Sequence, residues 1–256
     1  DTVYVSQNIP TTIDAWMGTL AFSGQIFCDF AGYSTCAIGA AMCLGFSLPD
    51  NFKYPYAAVG FSDFWRRWHI TLSEWLRDYL YISLGGNRQG NIRTLVNLML
   101  TMLIGGLWHG AAWTFVVWGG LHGFFLIVER LFSNWNDRAG VFQGTWAMVL
   151  GGLVTFLAVS FAWVFFRAPN FETAWNIAHA MLLPTGAGTT LTTLSVIKVS
   201  SITVSILGLH WYLRDKTLEE AASQIPWQLR ALILAALTIS IVLFSGDDRA
   251  FIYFKF

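Results

Sequence analysis

Residues 105–123 read GGLWHGAAWTFVVWGGLHG. Apolar and small residues fill this stretch, yet it carries His109 and His122. It sits inside a segment from Ile92 to Arg130 that is nearly uncharged as far as Glu129. A bilayer core is crossed by about 20 helical residues, so this segment is too long for one straight span. Gly105–Gly106 and Gly110 offer a break near His109. On an unbroken helix, residues 13 apart stand about 20 Å apart along the axis and point to different faces. Nothing between Ala111 and Leu121 forces a break, so His122 is a poor partner for His109 and reads as a packing histidine.

The rest of the chain has the same character. Of its 256 residues, 55% are hydrophobic and 12% are charged, whereas soluble domains are about a quarter charged. With a mean hydropathy of +0.53, the composition predicts an all-α, multi-pass membrane protein. The formal net charge is zero, so nothing suggests a nucleic-acid partner. Cys28, Cys36 and Cys43 lack metal-ligand spacing. At helical periodicity they share roughly one face, which predicts small core residues. The chain starts at Asp1 without a signal peptide pattern.

The predicted spans are Thr12 to Phe46, two pieces of Ile92 to Arg130, Thr145 to Phe166, Ser195 to Leu213 and Leu229 to Phe244. The whole chain reads as a single membrane domain, 1–256. Gly45 to Tyr56 reads as a loop, with Ser62 or Asp63 as the cap of the next helix. That helix, Phe64 to about Ile82, is amphipathic. Trp65, Trp68, His69, Leu72, Trp75, Leu76, Tyr79 and Leu80 gather on one face, with Arg66, Arg67, Glu74, Arg77 and Asp78 opposite. Such a helix lies in the interface or covers a cavity. "LGGNRQGN" (Leu84 to Asn91) follows as a glycine-rich basic turn. A capped, amphipathic helix is expected after Pro169, and the tail "FSGDDRAFIYFKF" suits an interfacial anchor. Basic residues gather between Lys53 and Arg93, which the positive-inside rule places at the cytoplasmic face.

Ionisable groups at membrane depth are functional candidates by default. His109 is the first, and the glycines beside it let a backbone or a substrate approach closely. His69 is its better partner, because it sits on the aromatic face although a polar face was available. Asp29, within the polar string Gln25, Asp29, Tyr33 and Ser34, should be paired; Arg66, Arg67 and Arg77 are the expected partners. His179 and His210 lie near segment ends and need no special account. From the residues alone, two readings stay open: a transporter or proton relay through His109, His69 and Asp29, and a cytochrome with His69 and His109 as axial haem ligands.

The blocks QIFCDFAGYSTCAIGAAMCLGF, FSDFWRRWHITLSEWLRDYLYISLGGNRQG, GGLWHGAAWTFVVWGGLHG, WVFFRAPNFETA and FIYFKF resemble the membrane-bound O-acyltransferase (MBOAT) family, in its bacterial alginate O-acetyltransferase branch. The D-alanyl transfer protein of teichoic acid synthesis is a more distant relative. The resemblance implies a helical bundle around a tunnel with interfacial helices, of which this chain resembles the C-terminal half or so, without the family's N-terminal helices. It implies His109, in "WHG", as the catalytic histidine and His69, in "RRWH", as the second active-site position, orienting the acyl carbonyl or stabilising its oxyanion. His122 matches a histidine common in this branch, outside the catalytic position. Trp108, Gly105, Gly106, Gly110, Trp68, Trp65, Asp29 and Tyr33 are the tunnel candidates. The implied reaction moves an acetyl or other acyl group from a cytoplasmic thioester to a hydroxyl of an exported polysaccharide. No bound cofactor or metal is implied; acetyl-CoA or another acyl thioester is the donor. The implied setting is the bacterial inner membrane, with membrane lipid and a periplasmic acetyltransferase protein as partners.

Overall fold

The computed structural model describes residues 2–6, 9–139, 143–186 and 188–243. These are helices and connecting loops, with no strand among them. In chain order the helices are α1 (Thr2–Val5), α2 (Thr12–Cys43), α3 (Phe61–Trp65), α4 (Ile70–Trp75), α5 (Asn91–His109), α6 (Trp113–Ala139), α7 (Gly144–Arg167), α8 (Phe171–Leu182), α9 (Thr193–Leu213), α10 (Leu218–Ser223) and α11 (Trp227–Leu243). Among the described residues, five segments are long and apolar enough to cross a membrane: Thr12–Cys43, Asn91–His109, Trp113–Ser133, Gly144–Arg167 and Thr193–Leu213. The described part of the last predicted span, Trp227–Leu243, is shorter. Its expected end at Phe244 and the aromatic tail lie outside the described residues.

The predicted break beside His109 is present. The α5 helix stops at His109, and Gly110 turns the chain into α6, which packs back along α5. Glycine makes this contact possible. A Cβ on Gly106 would strike the Phe115 carbonyl, and one on Gly119 would strike the Met102 carbonyl. A Cβ on Gly123 would come within 2.8 Å of the Met99 sulfur. Small residues let membrane helices approach until their backbones touch. The turn at Gly110 also corrects the single-helix geometry expected for His109 and His122, which lie on separate helices.

The α7 helix runs through the centre. Val159, Ala162, Trp163, Val164 and Phe166 are all buried there, against Phe22 and Ile26 of α2 and Phe64, Trp65 and Trp68 of the α3 region. The α8 helix begins where expected, with Asn170 accepting a hydrogen bond from the Thr173 N–H at 2.8 Å. The α2 helix has a capped start and an unpacked end. Thr11 caps it, and Asp14 is buried, accepting bonds from Thr189 and from the Thr190 N–H and hydroxyl. Beyond Phe30 few residues are buried, because no other described helix covers that end. Cys28, Cys36 and Cys43 are therefore exposed, which corrects their reading as core residues.

The predicted helix Phe64 to Ile82 is not continuous. It is α3, a turn at Arg66–His69, α4, and a π-helical turn at Leu76–Tyr81. The cap is also shifted: Gly60, with φ of 93°, precedes α3, and no side chain caps it. Ser62 and Asp63 lie inside the first turn. Glu129 of α6 instead accepts a bond from the Ser62 N–H at 2.8 Å, and Asp63 reaches back to the Val59 N–H at 3.0 Å. The break divides the expected aromatic stripe. Trp65 and Trp68 are buried, while Trp75 and Tyr79 are exposed.

Candidate active site

His69 sits at the break between α3 and α4, and its backbone explains its position. Its φ of 43° and ψ of 56° lie in the left-handed region, uncommon for a side chain with a Cβ. Such conformations cost about 1–3 kcal/mol and persist where the surroundings over-determine them. Here one loop residue does so. The Asn51 carbonyl accepts the Ile70 N–H at 3.0 Å. The Asn51 side-chain oxygen accepts the Thr71 N–H at 3.3 Å and the Thr71 hydroxyl at 3.0 Å, and lies 3.1 Å from His69 Nδ1. The His69 ring packs edge-on to Phe30, centroids 4.8 Å apart. Burial among these rings pulls its pKa down from 6.5 to about 4, so the ring is neutral near pH 7.

His109 comes from a different element, the last residue of α5. Rings surround it: Trp108 at 5.0 Å, Trp118 at 5.1 Å, Phe166 at 5.2 Å and Phe115 at 6.4 Å between centroids. His69 and His109 line one cavity together with Trp65, Trp68, Trp118 and Trp163. The cavity is narrow, about 10 Å³, room for roughly one water molecule. The pairing expected from sequence, His69 with His109, is the pairing that the fold makes.

Of the other candidates, Trp65 and Trp68 line the same cavity. Gly105, Gly106, Gly110, Trp108, Asp29 and Tyr33 do not. The glycines face protein: a Cβ on Gly105 would come within 3.2 Å of Leu76 Cδ1, one on Gly110 within 2.6 Å of the Phe115 ring, and one on Gly106 would strike the Phe115 carbonyl. Their space is occupied by neighbouring helices, which corrects their reading as room for a reacting chain. Trp108 and Tyr33 are more than half exposed. Asp29 accepts a hydrogen bond from Gln25, one turn earlier on α2. Among the described residues no arginine pairs with Asp29; two of the three candidates are engaged elsewhere, Arg67 with Asp63 at 2.8 Å and Arg77 with Asp78 at 2.7 Å.

His122 lies directly behind Trp118, ring centroids 4.9 Å apart. It is wholly buried among Phe64, Trp65, Trp118, Phe125 and Trp163, and among the described residues neither ring nitrogen has a hydrogen-bond partner. The indole thus separates it from His109. The sequence reading missed two structural groups. His210 is buried, and its Nδ1 accepts the Tyr56 N–H at 3.2 Å; its place near a segment end concealed this. Asn51 fell within the loop read from Gly45 to Tyr56, and no local periodicity marks it.

The profile described as MBOAT, membrane-bound O-acyltransferase family, matches residues 3–168. That range contains both cavity histidines. The chain is similar to the probable alginate O-acetylase AlgI of Pseudomonas putida, 40% identical over all of this chain and 56% of that protein. It is also similar to the peptidoglycan O-acetyltransferase of Helicobacter pylori, 48% identical over 66% of this chain and 32% of that protein. The teichoic acid D-alanyltransferase of Bacillus subtilis is 30% identical over 66% of this chain and 46% of that protein. The chain thus spans about half the length, or less, of these relatives. With five helices of spanning length and composition, and a profile match over most of its length, the chain belongs to the membrane-bound O-acyltransferase family and is a multi-pass membrane protein.

Proposed function

We propose that this chain carries the reaction centre of a membrane O-acyltransferase, which moves an acetyl group from a cytoplasmic thioester to a hydroxyl of an exported polysaccharide. The observation that carries this reading is the convergence of His69 and His109, from separate elements, on one aromatic-walled cavity. Polar groups converging in a largely apolar pocket make the default reaction site. Relatives named for O-acetyl transfer, at 40% and 48% identity, favour acetyl over the D-alanyl group named for a relative at 30%.

A sugar hydroxyl is a weak nucleophile at neutral pH. His109 acts as general base, taking the hydroxyl proton while the oxygen attacks the thioester carbonyl. A C–O bond forms, the C–S bond breaks, and the proton passes from His109 to the leaving thiolate. His69, across the cavity, holds a reactant in place. The donor is acetyl-CoA or another acyl thioester, with no bound cofactor. The acceptor is a glycan, presented in the inner membrane with the help of a periplasmic acetyltransferase protein.

The test is acetyl transfer from radiolabelled acetyl-CoA to candidate glycans in membranes carrying the protein. His109→Ala is expected to lower the rate at least ~100-fold, the usual contribution of a positioned base. Wild-type rates in a well-inserted His109→Ala protein would refute the assignment. A transporter working through His109, His69 and Asp29 predicts solute flux in proteoliposomes without any acyl donor.

A further inference from the structure

The hydrogen bonds around Asn51 decide which nitrogen of His69 carries the proton. The Thr71 backbone N–H can only donate, and it points at one terminal atom of the Asn51 side chain, 3.3 Å away. That atom must therefore be the amide oxygen. The amide nitrogen, on the other side, donates to the Ser34 hydroxyl of α2 at 3.2 Å. An amide oxygen has no proton to give. His69 Nδ1, 3.1 Å from the same oxygen, must then be the donor. In a neutral imidazole one nitrogen donates and the other accepts. Nε2 is left as a bare lone pair, and among the described residues nothing hydrogen-bonds to it.

We infer that Asn51 is a positioning residue that locks His69 in the Nδ1–H form, so that His69 meets the substrate as a hydrogen-bond acceptor. This rests on the acyl-transfer reading and assigns the second histidine its part in it. An acceptor cannot stabilise an oxyanion, which needs donors. It can receive a hydroxyl. His69 Nε2 therefore holds a hydroxyl of the incoming sugar, while His109 takes the proton of the attacking one. The oxyanion must find its donors elsewhere in the cavity. Asn51 does three things at once: it ties the loop to α2 through Ser34, holds the left-handed turn through Ile70 and Thr71, and sets the tautomer. His109, across the cavity, is the titratable group that faces His69.

The experiment is nitrogen NMR on the full chain labelled at its five histidines, with His69→Gln used to assign the signal. The wild type is expected to show His69 protonated at Nδ1 and bare at Nε2. Asn51→Leu is expected to bring a population protonated at Nε2, whereas Thr71→Val, which keeps the Asn51–His69 bond, leaves the signal unchanged. A wild-type His69 protonated at Nε2, or a tautomer indifferent to Asn51→Leu, overturns the inference. Should Asn51→Leu not fold, Asn51→Asp keeps every acceptor and serves instead. Its carboxylate favours the imidazolium, which lacks the lone pair. The acid limb of the acetyl-transfer profile should then rise by at least one pH unit; an unmoved limb counts against the inference. The NMR result is independent of catalysis. An active His109→Ala protein sinks the acyl-transfer assignment and leaves the tautomer standing.

Discussion

Trp118 divides two histidine environments that the sequence places side by side. In front of it, His109 and His69 line a cavity, and His69 is held by a polar network that reaches the 51–71 turn and α2. Behind it, His122 is sealed among rings, with no exposed surface and no partner for either nitrogen among the described residues. The same side chain therefore occupies two chemical situations one indole apart. Reactivity requires access and partners, and only the front side has both. A buried, unpaired ring nitrogen is a cost to stability, of about 1–3 kcal/mol for a lost partner. The difference shows that histidine content alone is a poor guide to the site; the face of Trp118 on which a histidine lies is a better one.

The strongest way to break this division is to remove the wall. Trp118→Ala takes away a ring that packs on His109, His122, Trp163 and Phe166. Large-to-small changes of this kind cost about 3–5 kcal/mol. The expected outcome is a large drop in melting temperature in detergent together with loss of transfer; an unchanged melting point would show that the wall is not structural.

The wall also depends on α5 and α6 touching. Gly119→Val would press a branched side chain into the Met102 carbonyl, which cannot move aside. Overpacking costs about 1–3 kcal/mol. Thermal melting should report this loss, with Gly120→Val as the control, since its nearest neighbour is the flexible Leu103 side chain at 3.6 Å. Equal losses at both positions would argue against a backbone contact.

Replacing His122 tests the rear side alone. His122→Phe removes two unpartnered nitrogens and keeps a ring of similar shape. Stability should hold or rise by ~1 kcal/mol, and transfer should stay within a few-fold of wild type. A loss as large as that of His109→Ala would move His122 into the reaction.

The effect of pH on His69 is confined to acid solution. Its folded pKa is about 4, against 6.5 in the unfolded chain. Between those values the unfolded chain binds more protons, so folded stability is complete above pH 6.5 and declines as pH falls toward 4. Melting curves over that range should flatten in His69→Gln relative to wild type. Identical curves would mean that His69 is not the group responsible.

Much of this could be read before any coordinates. The long uncharged run from Ile92 required a break, glycines stood near His109 to make one, and the structure turns the chain at Gly110. Spans, the capped helix after Pro169 and the His69–His109 pairing were legible in the same way. Other features misled. The helical wheel of 64–82 assumed one axis, but the chain turns at His69 under the hold of Asn51, and half of the aromatic stripe faces outward. Asp29 was expected to find an arginine and lies instead beside Gln25, while Asp63 and Asp78 hold two of the three candidates, Arg67 and Arg77. The glycines near His109 were expected to make room for substrate and instead seat neighbouring helices.

The sequence by itself determined the membrane class, the helical spans and the unusual histidines, because apolar run length and charge placement are local properties. Only the tertiary structure decided which histidines share a cavity, that a tryptophan stands between the two in the 105–123 stretch, and which nitrogen of His69 holds its proton. Those outcomes depend on contacts between residues far apart in the chain, such as Asn51 with Thr71 and Ser34, and no spacing along the chain encodes them.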